Sequence, residues 1–97
     1  MEINKTVNDG KMNISLVGRL DTTTAPEFEK ELVLDGINEL VFDFANLDYV
    51  SSAGLRVILG AQKAMNKNSG TLVIKNVKPE IMEVFDMTGF SDILTIE

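Results

Sequence analysis

Residues 40–59 read LVFDFANLDYVSSAGLRVIL, and a change of period inside this stretch decides the fold. Leu40-Val41-Phe42-Asp43-Phe44 is short, aromatic and β-branched, which is the composition of a largely buried strand. From Leu55 onward the pattern shifts: Leu55, Ile58, Leu59, Gln62 and Met65 fall at helical spacing, until Asn68-Ser69-Gly70 stops the run. Residues 45–50 between them are expected to form a loop. A buried strand that hands over to an amphipathic helix is half of a βαβ unit, so a parallel strand is expected on the far side of the helix.

Working outward supplies it. Thr71 to Lys75 reads as a second buried strand, Pro79 opens another helix in which Ile81, Val84, Phe85 and Thr88 share a face, Gly89 caps it, and Ile93 to Ile96 forms a last strand. Upstream, Thr24 and Glu27 have the spacing of a capping box, with Pro26 in the first helical turn. Ala25, Phe28, Leu32 and Val33 then give an apolar face, and Asp35-Gly36 a stop. At the start, Ile3, Lys5 and Val7 alternate with Asn4 and Thr6, and Met12, Ile14 and Leu16 with Asn13 and Ser15. The Asp9-Gly10 between them is a strong hairpin signal. The order is β-β-α-β-α-β-α-β. Residues 1–97 are expected to form one α/β domain, a mixed sheet opened by an antiparallel hairpin with its helices packed mainly on one face.

Composition removes whole classes of function. The chain has neither cysteine nor histidine, so thiol catalysis, Ser-His-Asp triads and the common zinc sets are absent from it. A formal net charge of -6 repels nucleic-acid phosphates and anionic membrane surfaces at long range. No apolar run is long enough to span a bilayer, and Met1 to Lys5 has no signal-peptide pattern, so a cytoplasmic location without membrane insertion is expected. No Gly-rich phosphate loop is present, and no cofactor is expected. Asp21, Asp43 and Asp48 are the only acidic set to weigh as a magnesium site, but they lack an Asp-x-Asp pair and each has a simpler reading as a solvated or capping carboxylate. Met65, Met82 and Met87 read as core filler, and Glu27, Glu29 and Glu31 as a solvated helix face.

In an open α/β sheet the functional rim lies at the carboxyl ends of the parallel strands. Asp48 to Leu55 falls on that rim, where Ser51 and Ser52 begin a helix whose first N–H groups lack intrahelical partners. Either serine could simply cap the helix; an exposed one could also carry a phosphate, since the helix start favours an anion. Gly54 in the first turn costs up to about 1 kcal/mol against alanine, so something must approach closely there, whether a partner or the protein's own core. Asp21 reads as an Asx turn leading into the first helix, a role compatible with a partner contact.

Tyr49-Val50 followed by Ser51-Ser52-Ala53-Gly54-Leu55-Arg56-Val57-Ile58-Leu59 resembles the signature of bacterial anti-sigma-factor antagonists, the STAS-domain proteins, and Gly18-Arg19-Leu20-Asp21 resembles their second motif. The similarity runs from the first hairpin through Met87-Thr88-Gly89-Phe90. The resemblance implies phosphorylation at Ser52, two positions before the motif glycine, with Ser51 standing where an aspartate is common. It implies that Gly18 to Asp21 lies beside the serine and helps dock a kinase, giving a partner-binding surface of Asp21, Thr22, Thr23, Ser51, Ala53 and Gly54; Arg56 and Lys63, projecting from the helix nearby, could meet acidic patches on that partner. The implied partners are an anti-sigma factor serine kinase, which the unphosphorylated chain binds to free a sigma factor, and a metal-dependent serine phosphatase that resets the switch. ATP and magnesium would belong to the kinase, and the chain itself would be no enzyme. The alternative reading is an accessory subunit of a membrane transport complex, since STAS-like domains also regulate transporters. Relatives commonly carry a further helix after the last strand, which this sequence lacks after Ile96; this could leave apolar surface for a homodimer or partner on one face, or be only a shortened version of the same fold, and a monomer or weak homodimer is expected.

Overall fold

Asp9 and Gly10 adopt positive φ values of 48° and 79°, the backbone that a two-residue hairpin turn requires at both central positions. A computed structural model, which describes all 97 residues, shows this turn folding β1 (Glu2–Asn8) back on β2 (Lys11–Leu20), with Asn8 opposite Lys11. Every later strand is parallel to its predecessor: β3 (Glu39–Val50), β4 (Thr71–Lys75) and β5 (Thr95–Ile96). The sheet order is β1-β2-β3-β4-β5. Three crossovers, through α1 (Ala25–Glu31), α2 (Ser52–Lys67) and α3 (Pro79–Thr88), therefore all advance in the same direction across the sheet. Right-handed crossovers in one direction place every helix on one face.

The burial pattern follows from that placement. On β2 Met12, Ile14 and Leu16 are buried, on β3 Leu40, Phe42 and Phe44, and on β4 Leu72 and Ile74, meeting Phe28, Ile58, Met65, Ile81 and Phe85 from the helices. Phe42 links the layers, edge-on to Phe28 at 5.2 Å and stacked with Phe44 at 5.8 Å. The opposite face is polar: Asn4, Thr6, Asn13, Ser15, Asp43 and Lys75 line a shallow depression beside the half-buried Val41. Alternation along the strands sends these polar side chains to the face without helices, and the large apolar side chains that stay exposed are Val7, Val33, Tyr49, Met87 and Ile93.

Three boundaries and one cap differ from the sequence reading. Residues 45–50 are strand rather than loop: β3 continues to Val50, pairing with β2 through register shifts after Ser15 and after Gly18. Its buried residues there are Phe44, Leu47 and Val50, a spacing of three that bulges create and that period-two reading misses. α1 ends at Glu31 with Leu32 as its cap, short of Asp35-Gly36, so Val33 lies beyond the helix and is exposed. Thr24 occupies the helix start but makes no side-chain cap bond. The last strand is only Thr95–Ile96, preceded by a 3-10 turn at Phe90–Asp92.

Gln62 is the one buried polar side chain, and its Oε1 has no hydrogen-bond partner while its Nε2 donates to Asn66 at 3.0 Å. An unpaired buried acceptor costs about 1–3 kcal/mol. Gln62→Leu should therefore stabilise the fold by about 1 kcal/mol, seen as a higher urea midpoint with an unchanged m-value.

Candidate functional site

The site forms where β2 and β3 end side by side. Leu20 pairs with Val50, and the Ser51 N–H donates to the Leu20 carbonyl at 2.9 Å, so Asp21 and Ser51 leave the sheet from adjacent points. Ser51 has extended backbone (φ -94°, ψ 173°) and caps α2: its Oγ accepts from the Gly54 N–H at 3.3 Å, and its carbonyl accepts from Leu55 N–H at 2.9 Å. Ser52 is the first helical residue, is exposed, and its hydroxyl makes no hydrogen bond within the protein. Ser51 is thus the helix cap, and the Ser52 hydroxyl is left free. The Ser52 and Ala53 amides also lack protein acceptors, which leaves partial positive charge at the helix start. One turn on, Arg56 is exposed and unpaired, on the same stripe of the helix as Ser52.

Gly54 is buried, and a Cβ there would stand 2.7 Å from Leu20 Cγ and 3.0 Å from Val50 Cγ2. The close approach that demands glycine is internal: it seats the start of α2 on the last residues of both strands. Gly54 therefore shapes the site from beneath and offers no side chain to a partner.

Asp21 organises the neighbouring loop. Its Oδ1 accepts from the Thr23 hydroxyl at 2.8 Å and from the Thr23 and Thr24 amides at 3.0 and 3.1 Å, and its carbonyl accepts from Ala25 N–H at 2.8 Å. Thr24 Oγ1 turns back to accept from the Asp21 N–H at 2.8 Å instead of capping α1. Thr22 and Thr23 are consequently held exposed beside the start of α2. The Thr23 hydroxyl first, and then the Thr24 amide, hold the Asp21 carboxyl below its ordinary value of 3.8. A carboxyl lowered by folding stabilises the native state above its unfolded pKa and loses that contribution as pH falls through the folded one. Asp21→Asn should lower Tm at neutral pH, and the gap to wild type should close as pH drops below the ordinary carboxylate value; a gap independent of pH would show that the charge is irrelevant.

Asp21, Asp43 and Asp48 do not converge. Asp43 accepts from Ala45 N–H and Asn76 Nδ2, and Asp48 pairs with Lys78 at 2.6 Å. Two rim residues within the motifs, Arg19 and Tyr49, were given no individual role from the sequence. The Arg19 guanidinium lies over the Tyr49 ring, 4.2 Å from its centroid, with Nε 4.0 Å from the Asp21 carboxylate. Each sits one residue before the end of its strand, in register with the other, so the parallel pairing was the signal that could have found them. The Asp48–Lys78 pair joins the end of β3 to the start of α3 and leaves no local trace in the sequence.

Comparison with known proteins places this geometry in context. The STAS domain family model matches residues 2–97. The chain is 37% identical over 91 residues to BtrV of Bordetella bronchiseptica, a proposed anti-sigma factor antagonist, covering 91% of this chain and 78% of that one. It is 32% identical over 99 residues to the anti-sigma-B factor antagonist of Staphylococcus epidermidis, covering 99% and 92%. Among solved structures, the anti-sigma factor antagonist SpoIIAA of Bacillus superposes in its unphosphorylated form with a TM-score of 0.77 at 18% identity, over 99% of this chain and 87% of that one. Its phosphorylated form superposes with the same TM-score.

Proposed function

Because the chain belongs to the STAS domain family, we propose that it is an anti-sigma factor antagonist that works as a phosphorylation-controlled partner switch. Its relatives are named for antagonism, a binding role rather than a catalytic one. Unphosphorylated, the chain docks on an anti-sigma factor serine kinase through Asp21, Thr22, Thr23, Ser51, Ala53 and Arg56, and the sigma factor is released. The kinase then moves the γ-phosphoryl group of its ATP to the Ser52 Oγ, with ADP leaving and the hydroxyl proton passing to a base of the kinase. Docking is lost until a metal-dependent serine phosphatase hydrolyses the phosphoester.

The observation that carries this reading is the division of labour between the serines: Ser51 Oγ is engaged as the helix cap, whereas Ser52 Oγ is exposed and unbonded. The fold has room for the product. Phosphate adds about -1.5 to -2 charges, and a helix N-terminus stabilises negative charge by roughly 0.3–1 kcal/mol, so the modification acts on the partner and not on the chain's own stability. Incubation with the kinase and ATP, followed by phosphosite mass spectrometry, should find phosphate on Ser52. Ser51→Ala should still be modified and Ser52→Ala should not. Phosphate on Ser51 alone, or on neither, would overturn the assignment.

A further inference from the structure

Resting on that reading, we infer that the stacked pair Arg19–Tyr49 is the anchor of the docking surface, and that the kinase meets it with a carboxylate set beside an apolar side chain. Arg19 and Arg56 are the only arginines of the chain and Tyr49 its only tyrosine. All three lie around the ends of β2 and β3 and the start of α2. Arginine and tyrosine are the residue types that dominate binding energy at interfaces.

Nothing inside the fold requires the pair. Leu20 and Val50, next in the chain, are buried among the helices; Arg19 and Tyr49, one step back on the pleat, point to the other side. Tyr49 is 40% exposed as a residue and the Arg19 side chain 62% exposed. Arg19 touches Asp21 only through Nε, at 4.0 Å, and its terminal nitrogens make no hydrogen bond. The stack fixes the guanidinium without using its donors, so little freedom remains to be lost on docking. In a chain of net charge -6, the Arg19 guanidinium, stacked on an exposed ring with its terminal nitrogens unbonded, offers free donors that complement an acidic group on the partner. The docking surface then extends past the serine, over the end of the sheet toward its helix-free face.

The test is titration calorimetry of the purified kinase against wild type, Arg19→Ala, Arg19→Lys, Tyr49→Ala, Tyr49→Phe and Ser52→Asp, with Tm recorded for each. Arg19→Ala and Tyr49→Ala should each weaken binding by at least about tenfold with Tm nearly unchanged. Tyr49→Phe keeps the ring and should bind like wild type. Arg19→Lys, which loses the planar stack, should fall with Arg19→Ala. The Arg19→Ala defect should shrink at high salt. Binding of both alanine variants within about twofold of wild type, while Ser52→Asp fails to bind, would overturn the anchor and leave the switch standing. A Ser52→Asp that binds normally would overturn the switch, and the Arg19 and Tyr49 variants would still decide the anchor. A salt-independent Arg19→Ala defect would overturn the carboxylate as its partner.

Discussion

Ser52→Asp is expected to abolish kinase binding while leaving the fold intact. Two like charges about 4 Å apart at an effective dielectric near 20 repel by on the order of 4 kcal/mol, which corresponds to roughly a thousandfold in affinity. Aspartate carries less charge than a phosphate and reaches less far, so a loss of at least about a hundredfold is the expected result, with phosphoserine stronger. The chain itself should tolerate the substitution, since Ser52 is exposed at the first position of α2 and the neighbouring amides are unpartnered. Ser52→Ala separates charge from loss of the hydroxyl: it should bind as well as wild type and resist phosphorylation. Calorimetry with the kinase and thermal melts of each variant check both halves. Equal affinity for Ser52→Asp and wild type would remove the electrostatic basis of the switch.

Gly54→Ala should be the most damaging single-methyl change at the site. The added Cβ would meet Leu20 Cγ at 2.7 Å and Cδ2 at 2.8 Å. Leu20 is fully buried and cannot swing away, so the start of α2 must lift from the strand ends. Overpacking of this kind costs about 1–3 kcal/mol, and better helix propensity returns only about 1. The expected net effect is a loss of up to about 2 kcal/mol, with Tm lower by roughly 4–8 °C per kcal/mol for a domain of this size. Gly60 on the same helix is the control: a Cβ there meets nothing within 4 Å, so Gly60→Ala should raise stability by up to about 1 kcal/mol. Chemical denaturation of the pair measures the contrast. If Gly54→Ala were as stable as Gly60→Ala, close packing could not be the reason for the motif glycine. Because Gly54 lies beneath Ser51 and Ser52, its substitution should also weaken kinase binding without touching an exposed side chain.

The features that propagate from local chemistry were legible in the sequence. Asp9-Gly10 demanded a hairpin and received one, Gly89 ended α3 with φ 80°, and Thr71–Lys75 was read with its full bounds. Right-handed crossovers then settled which face the helices cover. What escaped was set by pairing between distant residues. The second half of β3 is strand because β2 lies beside it, and its bulged register hides the alternation that would announce it. Thr24 looked like a cap because its spacing to Glu27 is right, yet Asp21 captured its hydroxyl first. At the site, Ser51 and Ser52 could be placed on the rim from topology and Asp21 beside them only from the family resemblance, but which serine was free depended on a single bond from Gly54 N–H to Ser51 Oγ. Arg19 and Tyr49 became neighbours only through strand register, with α1 and most of β3 between them in the sequence.

The most direct measurement is a displacement assay on a preformed complex of the sigma factor with its anti-sigma kinase, titrated with this chain unphosphorylated or stoichiometrically phosphorylated on Ser52. The unphosphorylated chain should release the sigma factor at concentrations near its affinity for the kinase, and the phosphorylated chain should release none. Release by both forms alike, or by neither, would contradict the partner switch.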